Sequence, residues 1–311
     1  MPRVSNKLHI STKPGRVVLG ICARQRPGTF RTSRNEVLTP RLFRPRKGRR
    51  FSFSLAALAC GLPFFALRAA AEPIHVRHPE GTLHGFLSLT TETGQVIASG
   101  DLIETVRGDR VTTHLTFHFK DGSLDDETTV FTQRGVFRLI SDHHIQRGPY
   151  FPTQLDMNID VPKRTVATRW KDKDGKEQNS TEHLKIPPDL CNGLVTPVVR
   201  NLSPGAAETK VSMIVSTPKP RIVTLLIRPL GTAPFSLAGF GRKALHYEIK
   251  IELGGIAGLI APVVGKAPPN IYMWIEGGEV PIFLRETGPL FEGGAILAIS
   301  LIGPTWPEND R

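Results

Sequence analysis

The sequence predicts a mainly β protein, a single strongly curved antiparallel sheet (a half-barrel or nearly closed barrel) with one short helix against its concave side. Three observations carry this. Apolar and polar side chains alternate along short runs, which places them on opposite faces of strands. Gly-centred turn signals separate the runs. Only one stretch of the second half has helical spacing. A two-sheet β-sandwich satisfies the same pattern and stands as the alternative.

The alternation begins at Val76. In "VTTHLTFHF", Val111, Thr113, Leu115, Phe117 and Phe119 share one face, and Thr112, His114, Thr116 and His118 the other. "LDMNIDV" (Leu155 to Val161) and "YEIKIEL" (Tyr247 to Leu253) repeat the pattern. Strands buried on one side and wet on the other belong to antiparallel sheets. Glycines at 94, 108, 122, 135 and 175 fall between the runs, so residues 84 to 186 read as a meander of about seven strands, each beside its sequence neighbour.

"PPDLCNGLVTPVVRNL" (Pro187 to Leu202) breaks the rhythm. Leu190, Leu194, Val198 and Leu202 recur at helical spacing and Asp189 offers a cap, so this is the helix, weakened by Gly193 and Pro197. Strands resume at Lys210 to Ser216, Arg221 to Arg228 and Leu245 to Leu253. Gly254 to Asn270 reads as a long apolar loop, and the remainder as three strands separated by Gly pairs. The sum is ten to twelve strands and one helix.

Ahead of the sheet stands a different kind of segment. The apolar run Phe51 to Leu67 contains Pro63, ends at Arg68, and is at or below the ~17 residues that cross a bilayer. A basic stretch, Arg41 to Arg50, precedes it, and Ala69 and Ala71 follow in the small-residue pattern of a cleavage site. Three domains are therefore expected: a disordered basic extension over 1–40, a signal peptide over 41–71 cut after Ala71, and a mature β-rich domain over 72–311. A lipidated Cys60 is the alternative ending. The absence of Met between Met1 and Met157 points to a translation start near Val37, Leu38 or Leu42. The expected location is the periplasm or the exterior, with no transmembrane segment after processing.

Charge follows the same division. Residues 1–71 hold 15 of the 40 Lys and Arg but one of the 28 Asp and Glu, so the leader carries +14 and the remainder −2, which together make the net +12. A nucleic-acid partner is thereby excluded on charge, because phosphate binding needs its cations on the folded domain. Cys191 is the sole thiol after residue 71, so no internal disulfide is expected.

Motif searches give no catalytic, cofactor-binding or metal-ligating residue, and no cofactor. His114 and His118 lie ~13 Å apart along a strand, too far for one zinc, and His143 and His144 face opposite ways. "DGSLDDET" and "DKDGKE" lack full calcium-loop spacing. No G-x-S-x-G elbow occurs, and Cys191 falls in the apolar helix segment where a thiolate is disfavoured. What remains is apolar surface in Gly-rich segments: Phe235, Leu237, Phe240, Ile256, Leu259, Ile260, Val263 and Phe291. Such loops either plug the end of a barrel or line a pocket for an apolar ligand.

The export signal, the "G…ASG" strands and the "FKDGS" hairpin resemble the exported bacterial proteins of the domain-of-unknown-function 3108 type. More loosely, the chain is similar to the periplasmic lipoprotein carriers, whose half-barrel holds acyl chains beneath a helical lid. That resemblance implies an envelope protein, non-enzymatic, binding an apolar or lipid-like ligand or an envelope partner. It transfers no functional residue. Two alternatives stand beside it: a carboxylate-dependent hydrolase of wall or glycan using Asp142 or Asp125 on the polar face, and a purely structural component of an envelope complex. The hydrolase predicts a carboxyl displaced toward neutrality in a polar cleft.

Overall fold

A computed structural model describes residues 73–171, 174–203, 205–253 and 267–305. Within them the chain forms one sheet of fifteen strands in which every strand pairing is antiparallel, together with one short helix. The curved single sheet of the sequence reading is thus the observed fold, and the sandwich is not.

The first half is a meander in sequence order: β1 (Leu83–Thr91), β2 (Val96–Arg107), β3 (Arg110–Phe119), β4 (Leu124–Thr132), β5 (Arg138–Arg147), β6 (Leu155–Asp160), β7 (Thr165–Lys171) and β8 (Glu177–His183). The eighth strand escaped the alternation rule because "EQNSTEH" carries no apolar side chain on either face. The second half contains β9 (Thr209–Ile214), β10 (Ile222–Leu237), β11 (Phe240–Glu252), β12 (Ile271–Glu276), β13 (Ile282–Gly288), β14 (Leu297–Leu301) and the two-residue β15 (Pro304–Thr305). β14 returns to pair with β1, Leu87 opposite Leu301, and this joins the halves. The free edges of the sheet are β8 at one end and β9 with β15 at the other, so the barrel is not closed.

Bulges bend the strands. Between β4 and β5, Val130 faces Ser141 while Phe131 faces Leu139, so Ile140 is the extra residue. That insertion turns Leu139 to the same side as Asp142, His144 and Gln146, which strict alternation would forbid. Further shifts occur at Leu89/Thr90, Pro229/Gly231 and Trp274/Ile275.

The sheet curls until both halves touch the helix α1 (Val195–Asn201). Leu194, Val198, Val199 and Leu202 pack with Phe131, Met157 and Val166 from the first half and with Ile227, Ile249 and Met273 from the second. Pro197 is the third helical residue, where its missing N–H has no intrahelical acceptor to lose. Asp189 does not cap the helix: its side chain accepts from the Ser212 hydroxyl at 3.0 Å, and Leu194 is the N-cap. Cys191 lies before the helix and not in it; its N–H donates to Ser212 O on the open edge of β9. Asn192 completes this docking with both of its amide atoms on Ile214, at 2.8 and 2.9 Å.

The opposite end of α1 is tied by Asn201 and Arg200. The Asn201 side chain accepts from Arg77 N and His78 N, both at 2.7 Å, and donates to His78 O. Arg200 pairs with Glu80 and donates to Pro281 O at 2.7 Å. Beside that ion pair lies Glu104, and the Oε1 atoms of Glu80 and Glu104 are both buried with no other partner. Burial and the charge of Glu80 push the Glu104 carboxyl up to about 8, so at neutral pH it carries a proton that the two acids share.

Candidate functional site

Carboxyl groups gather on the concave side, bordered by the apolar core around α1 and by a second apolar cluster built on β1, β2, β3 and β14. β4 contributes Asp125 and Glu127, β5 contributes Asp142, His144 and Gln146, and β13 contributes Glu286. The sequence places Asp125 and Asp142 on the polar face. They are instead buried, 7% and 1% exposed: Asp125 shares the inner face of β4 with Thr129 and Phe131, and the bulge at Ile140 turns Asp142 on β5 inward. Glu127 and Glu286 remain half-buried.

One row of hydrogen bonds crosses the site. His144 Nε2 meets Asp125 Oδ1 at 2.7 Å, and His144 Nδ1 meets Ser216 Oγ at 3.1 Å. Gln146 Nε2 donates to Asp125 Oδ2 and to Leu290 O, both at 3.0 Å. Ser216 belongs to the β9–β10 loop and Leu290 to the β13–β14 loop, and the two loops are joined outside by an Arg221 to Glu292 ion pair at 3.0 Å. The row therefore fastens both loops over the carboxyl groups.

Charge decides what this site can do. Burial disfavours the His144 imidazolium, but Asp125, Glu127 and Asp142 more than offset it and raise the ring to about 10. An imidazole that stays protonated at neutral pH cannot take a proton from Ser216, so the serine, histidine and aspartate in line lack the base that nucleophilic attack requires. Burial, then the neighbouring Asp142, pushes Glu127 up to about 8, and burial alone brings Glu286 to about 7. Asp142 is raised by burial as well; its Oδ1 accepts from the Thr129 hydroxyl at 2.8 Å, while its Oδ2 is buried without a hydrogen bond. Among the described residues no group of three or more His, Cys, Asp or Glu is placed to hold a metal ion.

Three other histidines lie on the outer face of the sheet. His84, His114 and His143 each pair with an aspartate of an adjacent strand, Asp101, Asp126 and Asp156, at 2.8 to 3.0 Å. Around His114, His118 and Arg147 is a shallow outer cleft of about 420 Å³. His143 and His144 do face opposite sides of β5, as alternation requires.

The apolar residues expected to line a pocket are dispersed. Phe235 and Leu237 are not in a loop: "PFSLAGFG" is the β10–β11 hairpin, turned at Ala238 and Gly239, both at positive φ. Phe235 is buried with Ala244 and Leu284, Leu237 is half-buried beside them, and Phe240 at the hairpin tip is 73% exposed. Phe291 sits in the β13–β14 loop, ring to ring with Tyr150 and Phe151 in the second apolar cluster. Ile256, Leu259, Ile260 and Val263 lie outside the described residues, as do the leader, Cys60 and the cleavage site at Ala69 and Ala71.

Sequence reasoning missed Glu127, Glu286 and Ser216. Nothing local marks them, since their convergence depends on three elements distant in the chain. The usable signal was weak: acidic side chains alternating with Thr129 and Phe131 on what had to be the inner face of β4.

No protein-family model matches the chain, and no curated protein matches it. The chain is similar to one solved structure, a beta-barrel-like protein of domain of unknown function DUF1849 from Brucella abortus, at 9% identity with a TM-score of 0.40, over 74% of this chain and 99% of that one. The resemblance to the 3108 type finds no matching family model and remains an expectation. Among the described residues no helix is long and apolar enough to cross a membrane.

Proposed function

We propose that the protein is an exported, non-enzymatic component of a bacterial envelope that binds an apolar or lipid-like ligand, or an envelope partner, on the concave side of its sheet. The observation that carries this reading is the pair of apolar clusters inside the curved sheet: one is packed by α1, and the other, around Phe117, Phe119 and Phe151, is covered by Leu290 and Phe291 of the β13–β14 loop. The cleavable leader read from the sequence supports export. Extraction of the protein purified from its native envelope is expected to yield stoichiometric lipid, and an apolar fluorescent probe is expected to bind and be displaced by it. No extracted lipid together with no probe binding would refute the proposal.

The hydrolase remains a second reading because Glu127 and Glu286 show the displacement toward neutrality that a general acid needs. The protonated His144 beside them argues against it as a base. Hydrolysis of a wall or glycan substrate by the wild type, abolished in Glu127→Gln, would establish it over the first reading.

A further inference from the structure

We infer that the carboxyl cluster receives the positively charged head of an amphiphilic ligand, a primary ammonium on an apolar chain, with N–H groups donated to Asp142 and Glu127. The inference rests on the reading of the concave side as a ligand site and specifies the chemistry that site selects.

The charge balance comes first. Three carboxyl groups, Asp125, Glu127 and Asp142, act on the imidazole of His144, Glu286 neighbours Glu127, and Asp125 is already committed to the ring and to Gln146. Asp142 Oδ2 is the second, independent observation: a carboxylate oxygen in a side chain 1% exposed, with no hydrogen bond among the described residues. A buried acceptor left unsatisfied costs roughly 1–3 kcal/mol, more for a charged group, and is rare unless something else fills it. Alone, the protein lowers that cost by holding Glu127 and Asp142 toward their protonated forms, since burial raises both carboxyl groups. A ligand that brings N–H donors and positive charge replaces the proton.

Geometry then chooses among cations. No three ligating groups among the described residues converge as a metal ion demands, so the fit is to a larger head with several directed donors. The surroundings choose the rest of the molecule. Leu115 stands opposite Glu127 and Phe117 opposite Asp125 across β3 and β4, and Met157 stands opposite His144 across β5 and β6. The cluster is thus bordered by apolar side chains of both core clusters, which an alkyl chain matches and a small polar cation does not. Half-buried Glu127 and Glu286 leave the cluster reachable from solvent under the two tethered loops.

Isothermal titration of the full protein at pH 7 with octylammonium, octanol and octanoate, in two buffers of different ionisation enthalpy, tests this. Octylammonium is expected to bind at least tenfold tighter than octanol and to release about one proton per molecule bound, as Glu127 loses its proton. Asp142→Asn, and separately the half-buried Glu127→Gln in case the first fails to fold, are expected to bring octylammonium down to the affinity of octanol. Equal binding of octylammonium and octanol, or tighter binding of octanoate, would overturn the ammonium head while leaving the apolar-ligand reading standing. Binding of none of the three would sink both.

Discussion

Replacing Glu104 by Gln is expected to stabilise the protein at neutral pH, because the folded state must take up a proton at this carboxyl and a glutamine needs none. Glu104 is 3% exposed and faces Glu80, which in turn holds Arg200 at the end of α1. Its carboxyl is raised from the ordinary 4.5 to about 8, so the folded protein keeps a proton that the unfolded chain releases. The sign follows directly. Stability is greatest below about 4.5, where both states are protonated, and is lost as pH rises toward 8, at about 1.4 kcal/mol per pH unit for this one group. Between pH 5 and pH 7 that amounts to roughly 3 kcal/mol. A glutamine at this position keeps the shape and still donates to Glu80, so the variant lacks this slope. Urea unfolding at pH 5, 6 and 7 measures the effect: the two proteins should be similar at pH 5, and Glu104→Gln about 3 kcal/mol more stable at pH 7. Parallel profiles for wild type and variant would show that the two acids share no proton. The companion change sharpens the test. Glu80→Gln leaves the Arg200 guanidinium without its anion and should destabilise by about 3–5 kcal/mol at pH 7.

Three further outcomes follow from the geometry. Gly193→Ala places a Cβ on a residue at φ +64°, against the Thr129 hydroxyl and 2.8 Å from Thr129 Cβ, and is expected to lower stability by at least ~2 kcal/mol in denaturant unfolding. A fully native midpoint would mean that the segment before α1 does not approach β4 so closely. Phe151→Ala removes a ring that contacts Phe119, Tyr150 and Phe291, and should cost about 3–5 kcal/mol, read from the shift in thermal midpoint. Cys191 is buried and its thiol is pushed well above the ordinary range by burial and then by Asp189, so iodoacetamide at pH 8 should label it only after unfolding. Rapid labelling of the native protein would place the docked 189–192 segment elsewhere.

The sheet was legible because its signal is local. Alternation in "VTTHLTFHF" and "LDMNIDV" orients each side chain by its own position, and the glycine turns fix which strands are neighbours. The pairing of β1 with β14 was not legible, since nothing in "LHGFLSLTT" names a partner so far along the chain. The bulge at Ile140 was invisible for a related reason: one inserted residue reverses the inner and outer faces of β5 without altering composition, and it carried Asp142 from the expected wet side to the interior. Apolar residues in "PFSLAGFG" suggested a loop because Ala238 and Gly239 look like a flexible stretch, whereas they are a two-residue turn. The carboxyl cluster required the curl itself, because Glu286 joins Glu127 only after the second half of the sheet has come round.

The seam between β1 and β14 governs when the protein can be made whole. Thr90 donates to the Ala298 carbonyl across 208 residues, so the strand that appears first on the ribosome waits for almost the last one. Bringing such distant segments together carries a loop-closure entropy that grows with the logarithm of the span, and it slows folding more than it weakens the finished structure. A nascent chain halted before Leu297 can pair β1 to β8 in order but leaves the outer edge of β1 uncovered, so the two halves of the sheet join only when synthesis is nearly complete.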